Sequence, residues 1–148
     1  MSDDPATHSE ILRQLKEGFV PALPHAVALG MKLKELDEGR AVIMMEWDKK
    51  FVGDPDTGVI HGGAVSALMD TCCGLAVLAH PDAAASTATL DLRIDYMRPA
   101  VPGQSITATA ECYQVTRSVA FVRAVATDDD TSRPVATATA AFAVEQPK

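Results

Sequence analysis

Residues 59–80 read VIHGGAVSALMDTCCGLAVLAH, and few folds accommodate such a run. Apolar or small residues recur at helical spacing through Val65, Leu68, Met69, Cys72, Leu75, Ala76 and Ala79. The opposite face carries Ser66, Asp70, Cys73, Gly74 and Val77. A helix that is apolar on nearly all sides has to be enclosed by the rest of its domain. A carboxylate within it is costly unless it is paired, hydrogen-bonded or used, so Asp70 is the residue that demands an explanation. The length invites a membrane-spanning reading. Gly62, Gly63, Ser66, Asp70, Thr71 and Gly74 interrupt the run, and no basic flank accompanies it, so a buried helix is expected instead.

His61, Gly62 and Gly63 stand where this helix begins. The first N–H groups of a helix lack internal partners and carry the positive end of its dipole. Glycine lets a ligand oxygen approach them closely, as an oxyanion site requires. Two glycines also serve simply as a tight turn into a helix, and that reading stands beside the first. Gly62 and Asp70 are eight residues apart, about 12 Å along the axis. One helix does not easily bring both to a single reacting atom, which needs contacts of about 3 Å. Two antiparallel copies related by a two-fold axis do, so a site at a subunit interface is expected.

The surrounding sequence predicts one domain. At 148 residues the chain is long enough for a substantial core. Residues up to about Ser9 are polar and read as a tail. Ser9 reads as the cap of a short helix through Phe19, with Ile11, Leu12, Leu15 and Phe19 on one face, ended by Pro21 and Pro24. This divides the chain into a tail and short helix over 1–18 and a single domain over 19–148. Ala26 to Leu36 leads into a strand, Gly39 marks a turn, and Ala41 to Trp47 reads as the strand that completes a hairpin. Lys49 to Gly58 is dense in turn residues and reads as a loop. Pro81 to Ala84 is another connection. Ser86 to Met97 alternates, with Ala88, Leu90, Leu92, Ile94 and Tyr96 on one face and Thr87, Thr89, Asp91, Arg93 and Asp95 on the other. Strands over 105–116, 119–127 and 135–144 follow. A long helix with an antiparallel sheet curved around it, an α+β layer arrangement, satisfies this order.

Net charge is −7 and no Lys/Arg cluster occurs, which argues against nucleic acid and against an anionic membrane surface as partners. Three cysteines, two of them adjacent at Cys72 and Cys73, make no disulfide framework, and that adjacent pair reads as helix packing rather than as nucleophiles. No basic-then-apolar leader opens the sequence, so a reducing, cytoplasmic setting is expected. His8, His25 and His80 lack metal-ligand spacing, and neither a metal nor another cofactor is expected.

Residues 53–63 (GDPDTGVIHGG), Asp70 on the helix that follows, and residues 92–100 (LRIDYMRPA) together resemble the PaaI-like acyl-CoA thioesterases of the hotdog fold. The resemblance extends from about Phe19 to Val144. It implies a hotdog homodimer, usually paired into a homotetramer, with active sites between subunits and acyl-CoA as substrate. By this resemblance the Gly62 N–H polarises the thioester carbonyl, His61 lies beside that carbonyl, and Asp70 of the other subunit is the catalytic acid. Thr89 falls where related enzymes have a Ser or Thr that helps place the water. Asp54 stands where many members have Asn. Ionised Asp cannot donate the hydrogen bond that Asn can. His61 also has a purely local reading, as a histidine that hydrogen-bonds at a helix start.

A carboxylate either activates water as a general base or attacks a thioester directly to give an anhydride, and general base is the favoured reading here. Gly63, Val65, Met69 and Met97 are expected to line an aryl or medium-chain acyl group. Arg93, Arg98, Arg117 and Arg123 are candidates for the CoA phosphates by charge alone. Two other functions compete: a non-catalytic acyl-CoA-binding module, and a hydratase, which the absence of a histidine from the helix interior disfavours.

Overall fold

The computed structural model describes residues 5–82 and 86–145. Two helices come first, α1 (Pro5–Gly18) and α2 (Pro24–Ala28). The hairpin β1 (Met31–Asp37) and β2 (Arg40–Met45) follows, then a 3₁₀ turn over Lys49–Phe51. The short strands β3 (Val52–Asp54) and β4 (Val59–Ile60) lead into the long helix α3 (Gly62–Leu78). The strands β5 (Ser86–Tyr96), β6 (Ile106–Val115), β7 (Val119–Thr127) and β8 (Ala136–Glu145) complete the chain. Six strands form one antiparallel sheet in the order β1-β2-β6-β7-β8-β5, with β3 and β4 as a separate pair. α3 packs on one face of this sheet, which is the α+β arrangement expected.

Small side chains explain how a helix lies so close to the sheet. The inward positions of the central strands are largely alanine: Ala108 and Ala110 on β6, Ala120, Ala124 and Ala126 on β7, Ala136, Ala138 and Ala140 on β8. All are buried, and Val65, Leu68, Met69, Cys72, Leu75 and Ala76 of α3 fill the space above them. Core packing at crystal-like density leaves little room for larger residues on both sides at once.

Four expectations are corrected at the N-terminal half. α1 starts at Pro5 rather than being capped at Ser9, because proline is tolerated in a first turn where its missing N–H costs nothing. The part of the expected tail over residues 1–4 lies outside the described residues. Ile11 is 41% exposed, so only Leu12, Leu15 and Phe19 of the expected face pack on the core. Pro24 opens the short α2 as well as interrupting what precedes it. The expected loop over 49–58 contains β3 and the turn after it, and β4 follows at Val59–Ile60; periodicity over three and two residues cannot reveal such strands.

The largest correction is in β5. It pairs with β8 as Thr89↔Phe142 and then Asp91↔Ala141, so Leu90 is an extra, bulged residue. A bulge reverses which face later side chains point to. Thr87 and Thr89 before it therefore share the helix-facing side with Leu92, Ile94 and Tyr96 after it, where an unbroken alternation predicts opposite sides. Leu90 is left 60% exposed. As the last strand of the sheet order, β5 has one free edge.

Candidate active site

The β3–β4 hairpin aims the chain at the start of α3. Asp54 holds its turn. Its carbonyl accepts the N–H groups of Thr57 (3.2 Å) and Gly58 (2.8 Å). Its carboxylate accepts the Asp56 N–H (3.1 Å) and the Thr57 hydroxyl (2.8 Å). Both carboxylate oxygens are thus engaged in the turn itself, and Gly58 closes it at φ +79°. The Trp47 indole N–H donates to the Gly58 carbonyl at 3.0 Å and ties the turn to the body of the domain.

His61 is the N-cap of α3. Its backbone N–H donates to Phe51 (2.8 Å), its carbonyl accepts from Ala64 (3.0 Å), and its Nδ1 accepts the Gly63 N–H at 2.8 Å. Because a backbone N–H only donates, Nδ1 must carry the lone pair, and the proton of the neutral ring is on Nε2. The local reading of His61 accounts for Nδ1. Gly63 and Ala64 have partners for their N–H groups. The Gly62 N–H, at the positive end of the helix, has none among the described residues.

The three glycines here answer to different constraints. A β-carbon on Gly53 would lie 2.8 Å from the His61 α-carbon, and one on Gly63 2.8 Å from its Nδ1. Either would unseat the histidine. At Gly62 the nearest atom to a β-carbon is Cε1 of Tyr96 at 3.4 Å, ordinary contact. Close approach of His61 accounts for glycine at positions 53 and 63 but not at Gly62. Gly53→Ala is accordingly expected to lower the thermal midpoint by several degrees, while Gly62→Ala leaves it unchanged or raises it, since alanine costs a helix about 1 kcal/mol less than glycine. Thermal denaturation of the two variants checks this.

Asp70 sits two turns further along α3. It is half-buried rather than enclosed, which corrects the reading of an acid inside a closed apolar helix. The side of α3 that faces β5 stays partly open along Gly62, Ser66, Asp70 and Gly74, while Cys73 and Val77, expected on the same face, are fully buried. Oδ1 of Asp70 accepts the Thr89 hydroxyl at 2.7 Å. Oδ2 has no partner, and no cation pairs with the carboxylate among the described residues. The β5 bulge brings Thr89 here; an unbroken strand would turn it outward.

At the other end of the same strand, the Tyr96 hydroxyl donates to the Gly62 carbonyl at 2.8 Å. Ser66 also reaches that carbonyl, at 3.1 Å, and its hydroxyl touches that of Tyr96. Reading Tyr96 as one more apolar residue of an alternating strand missed this pair; a tyrosine rather than phenylalanine opposite a glycine helix start was the available signal.

A groove of about 440 Å³ opens beside Gly62, between Val59, Val65, Tyr96, Met97 and Val135. Val65 and Met97, expected to line an acyl group, both line this groove. Met69 is fully enclosed in the core and lines nothing, because the helix face it occupies points at the sheet. Another groove, of about 400 Å³, lies over Thr109, Glu111, Arg123 and Val125, lined by none of the residues around Gly62 and Asp70.

The arginines expected for phosphate binding are differently engaged. Arg98 is clamped on Asp128 by two hydrogen bonds (2.6 and 2.7 Å), with only 16% of its side chain exposed, and is a structural tie rather than a free cation. Arg93 is open to solvent and pairs with Asp95 at 3.3 Å, on the face of β5 away from Asp70. Arg123 lies over the Tyr113 ring at 4.7 Å and within 3.9 Å of Glu111. Arg117 is in the β6–β7 turn. The three cysteines are free thiols and all are buried. Cys72 donates to the carbonyls of Ala41 and Ala108, and burial pushes its thiol up to about 12. Burial raises Cys73 as well. No group of three or more metal-ligating side chains occurs among the described residues, nor any helix long and apolar enough to cross a membrane.

Residues 57–135, which include the helix start, Asp70, Thr89 and Tyr96, match the family model of the thioesterase superfamily. The chain belongs to that superfamily. Along 93% of its length it is 28% identical to the medium/long-chain acyl-CoA thioesterase YigI of Escherichia coli K12, covering 96% of that protein. Among solved structures, a Pseudomonas aeruginosa protein is 38% identical with a TM-score of 0.79, over 91% of this chain and 99% of its own. A mutant of the phenylacetic acid degradation protein PaaI from Thermus thermophilus is 28% identical with a TM-score of 0.74, over 83% of this chain and all (100%) of its own. The helix and sheet described above are the hotdog fold of this superfamily.

Proposed function

We propose that the chain hydrolyses acyl-CoA thioesters, with Asp70 as general base and the Gly62 N–H as the donor for the thioester oxygen. The observation that carries this is the pair of unmet groups on one open helix face: a carboxylate oxygen without a partner and a helix-terminal N–H without an acceptor among the described residues. Asp70 takes a proton from water, and the water oxygen bonds to the thioester carbon. The carbonyl becomes an oxyanion facing the Gly62 N–H and the Nε2–H of His61. Collapse breaks the carbon–sulfur bond, and the proton on Asp70 passes to the leaving thiolate. Thr89 holds Oδ1 and so turns Oδ2 towards the water.

The two groups belong to different copies in this reading. They are about 12 Å apart along one helix, too far for one reacting atom. The free edge of β5 supports a two-fold dimer, because it borders the open face of α3 and carries exposed Leu90, Tyr96 and Met97. Pairing of such dimers into a tetramer belongs to the same proposal. The groove beside Gly62 is lined mostly by apolar side chains, with the Tyr96 ring and Arg98 among them, and suits a medium-chain or aryl acyl group.

Thiol release from phenylacetyl-, hydroxybenzoyl-, hexanoyl- and palmitoyl-CoA tests the proposal. Release is expected, fastest with a medium-chain or aryl substrate. Tight binding of these thioesters without any thiol release would make the chain an acyl-CoA-binding module instead.

A further inference from the structure

The Gly62 carbonyl, Ser66 and Tyr96 form a triangle of hydrogen-bonding groups with two hydroxyl protons for three contacts. One proton links the two hydroxyls, and the other lies on the Gly62 carbonyl, whichever hydroxyl supplies it. That carbonyl shares its peptide unit with the Gly63 N–H, and the Gly63 N–H is the donor to Nδ1 of His61. A hydrogen bond on the oxygen of a peptide polarises its N–H and strengthens the bond made there. The hydroxyl pair thus acts on the imidazole through one peptide group, and strengthens the hydrogen bond by which the Gly63 N–H keeps the ring proton on Nε2.

We propose that Tyr96, with Ser66, is a positioning residue that holds His61 in the Nε2–H tautomer through the Gly62–Gly63 peptide. This rests on the thioesterase reading only for its catalytic consequence: the Nε2–H then faces the thioester oxygen beside the free Gly62 N–H. Two glycines in succession give a helix start little stiffness of its own. The Tyr96 ring lies against Gly62, so the same side chain steadies that start. β5 consequently sets both halves of the site. Thr89 orients the carboxylate, and seven positions on Tyr96 orients the donors.

The test compares wild type, Tyr96→Phe, and Tyr96→Phe with Ser66→Ala. Phenylalanine keeps the ring against Gly62 and removes only the hydroxyl. Long-range proton–nitrogen NMR correlations of the His61 ring report the tautomer without any substrate. Wild type is expected to show Nε2–H. The double variant is expected to weaken that preference, with a growing Nδ1–H population, kcat down about tenfold or more and KM within about twofold, and the single variant to fall between, because Ser66 still reaches the carbonyl. An unaltered tautomer in the double variant overturns the proposal, as does a wild-type ring already protonated on Nδ1. If the double variant does not fold, an unaltered tautomer and kcat in Tyr96→Phe overturn it equally. Absence of hydrolysis in wild type tells against the thioesterase reading alone, since the tautomer is read independently.

Discussion

Asp70→Asn is expected to lower kcat by about a hundredfold or more while leaving KM within a few-fold. Asparagine keeps the shape of the side chain and can still accept the Thr89 hydroxyl through its amide oxygen, so the local geometry survives. It offers no basic oxygen to water. Asp70 has no cationic partner among the described residues, so removal of its charge strands no buried countercharge, and the thermal midpoint is expected to hold or rise. That separation of activity from stability is the point of the variant. Thr89→Val makes the companion measurement: it frees Oδ1 but leaves the carboxylate, and a smaller loss, about tenfold, is expected. Steady-state thiol release with denaturation curves on the same samples decides it. Turnover unchanged in Asp70→Asn would remove Asp70 from the reaction and leave its hydrogen bond with Thr89 as a structural contact.

The long helix, the order of strands around it and the helix start at His61 were legible in the sequence because each rests on local pattern: helical spacing, alternation, and paired glycines beside a polar cap. What was not legible depends on pairing between distant residues. The β5 bulge is invisible as a pattern, since Ala88, Leu90, Leu92, Ile94 and Tyr96 alternate without a flaw. Only the register against β8 shows Leu90 to be extra, and with it the placement of Thr89 on the side of Asp70. Met69 fits a small-residue helix lining as well as a core position, and only the approach of the alanine-rich sheet assigns it to the core. Arg98 likewise reads as a free cation until the end of β7 brings Asp128 to it. Sequence spacing fixes what a side chain can do, and long-range pairing fixes whether it is left free to do it.

That last pair carries the largest expected effect on stability. Asp128 has a side chain only 1% exposed and accepts four hydrogen bonds: two from Arg98 at 2.6 and 2.7 Å, and the N–H groups of Val101 and Asp130, each at 3.1 Å. Arg98 in turn donates to the carbonyl of Arg133 at 2.8 Å. The cluster fastens the end of β5, the loop after it, the end of β7 and the approach to β8. Asp128→Ala leaves the guanidinium without its countercharge and two N–H groups without acceptors. The expected cost is about 3 kcal/mol, the lower end for a broken buried pair because Arg98 retains some solvent. The guanidinium beside Asp128 holds its carboxyl well below the usual carboxylate range. A depressed folded value means that the unfolded chain takes up the proton first as pH falls. The contribution is therefore complete at neutral pH and declines once pH drops below about 4, where an unfolded aspartate protonates. Urea denaturation of wild type and Asp128→Ala at pH 7 and near pH 2 is expected to show a stability difference that is large at neutral pH and clearly smaller in acid. A difference that did not shrink in acid would mean that the charge pair is not its source, and that the lost backbone acceptors account for the whole effect.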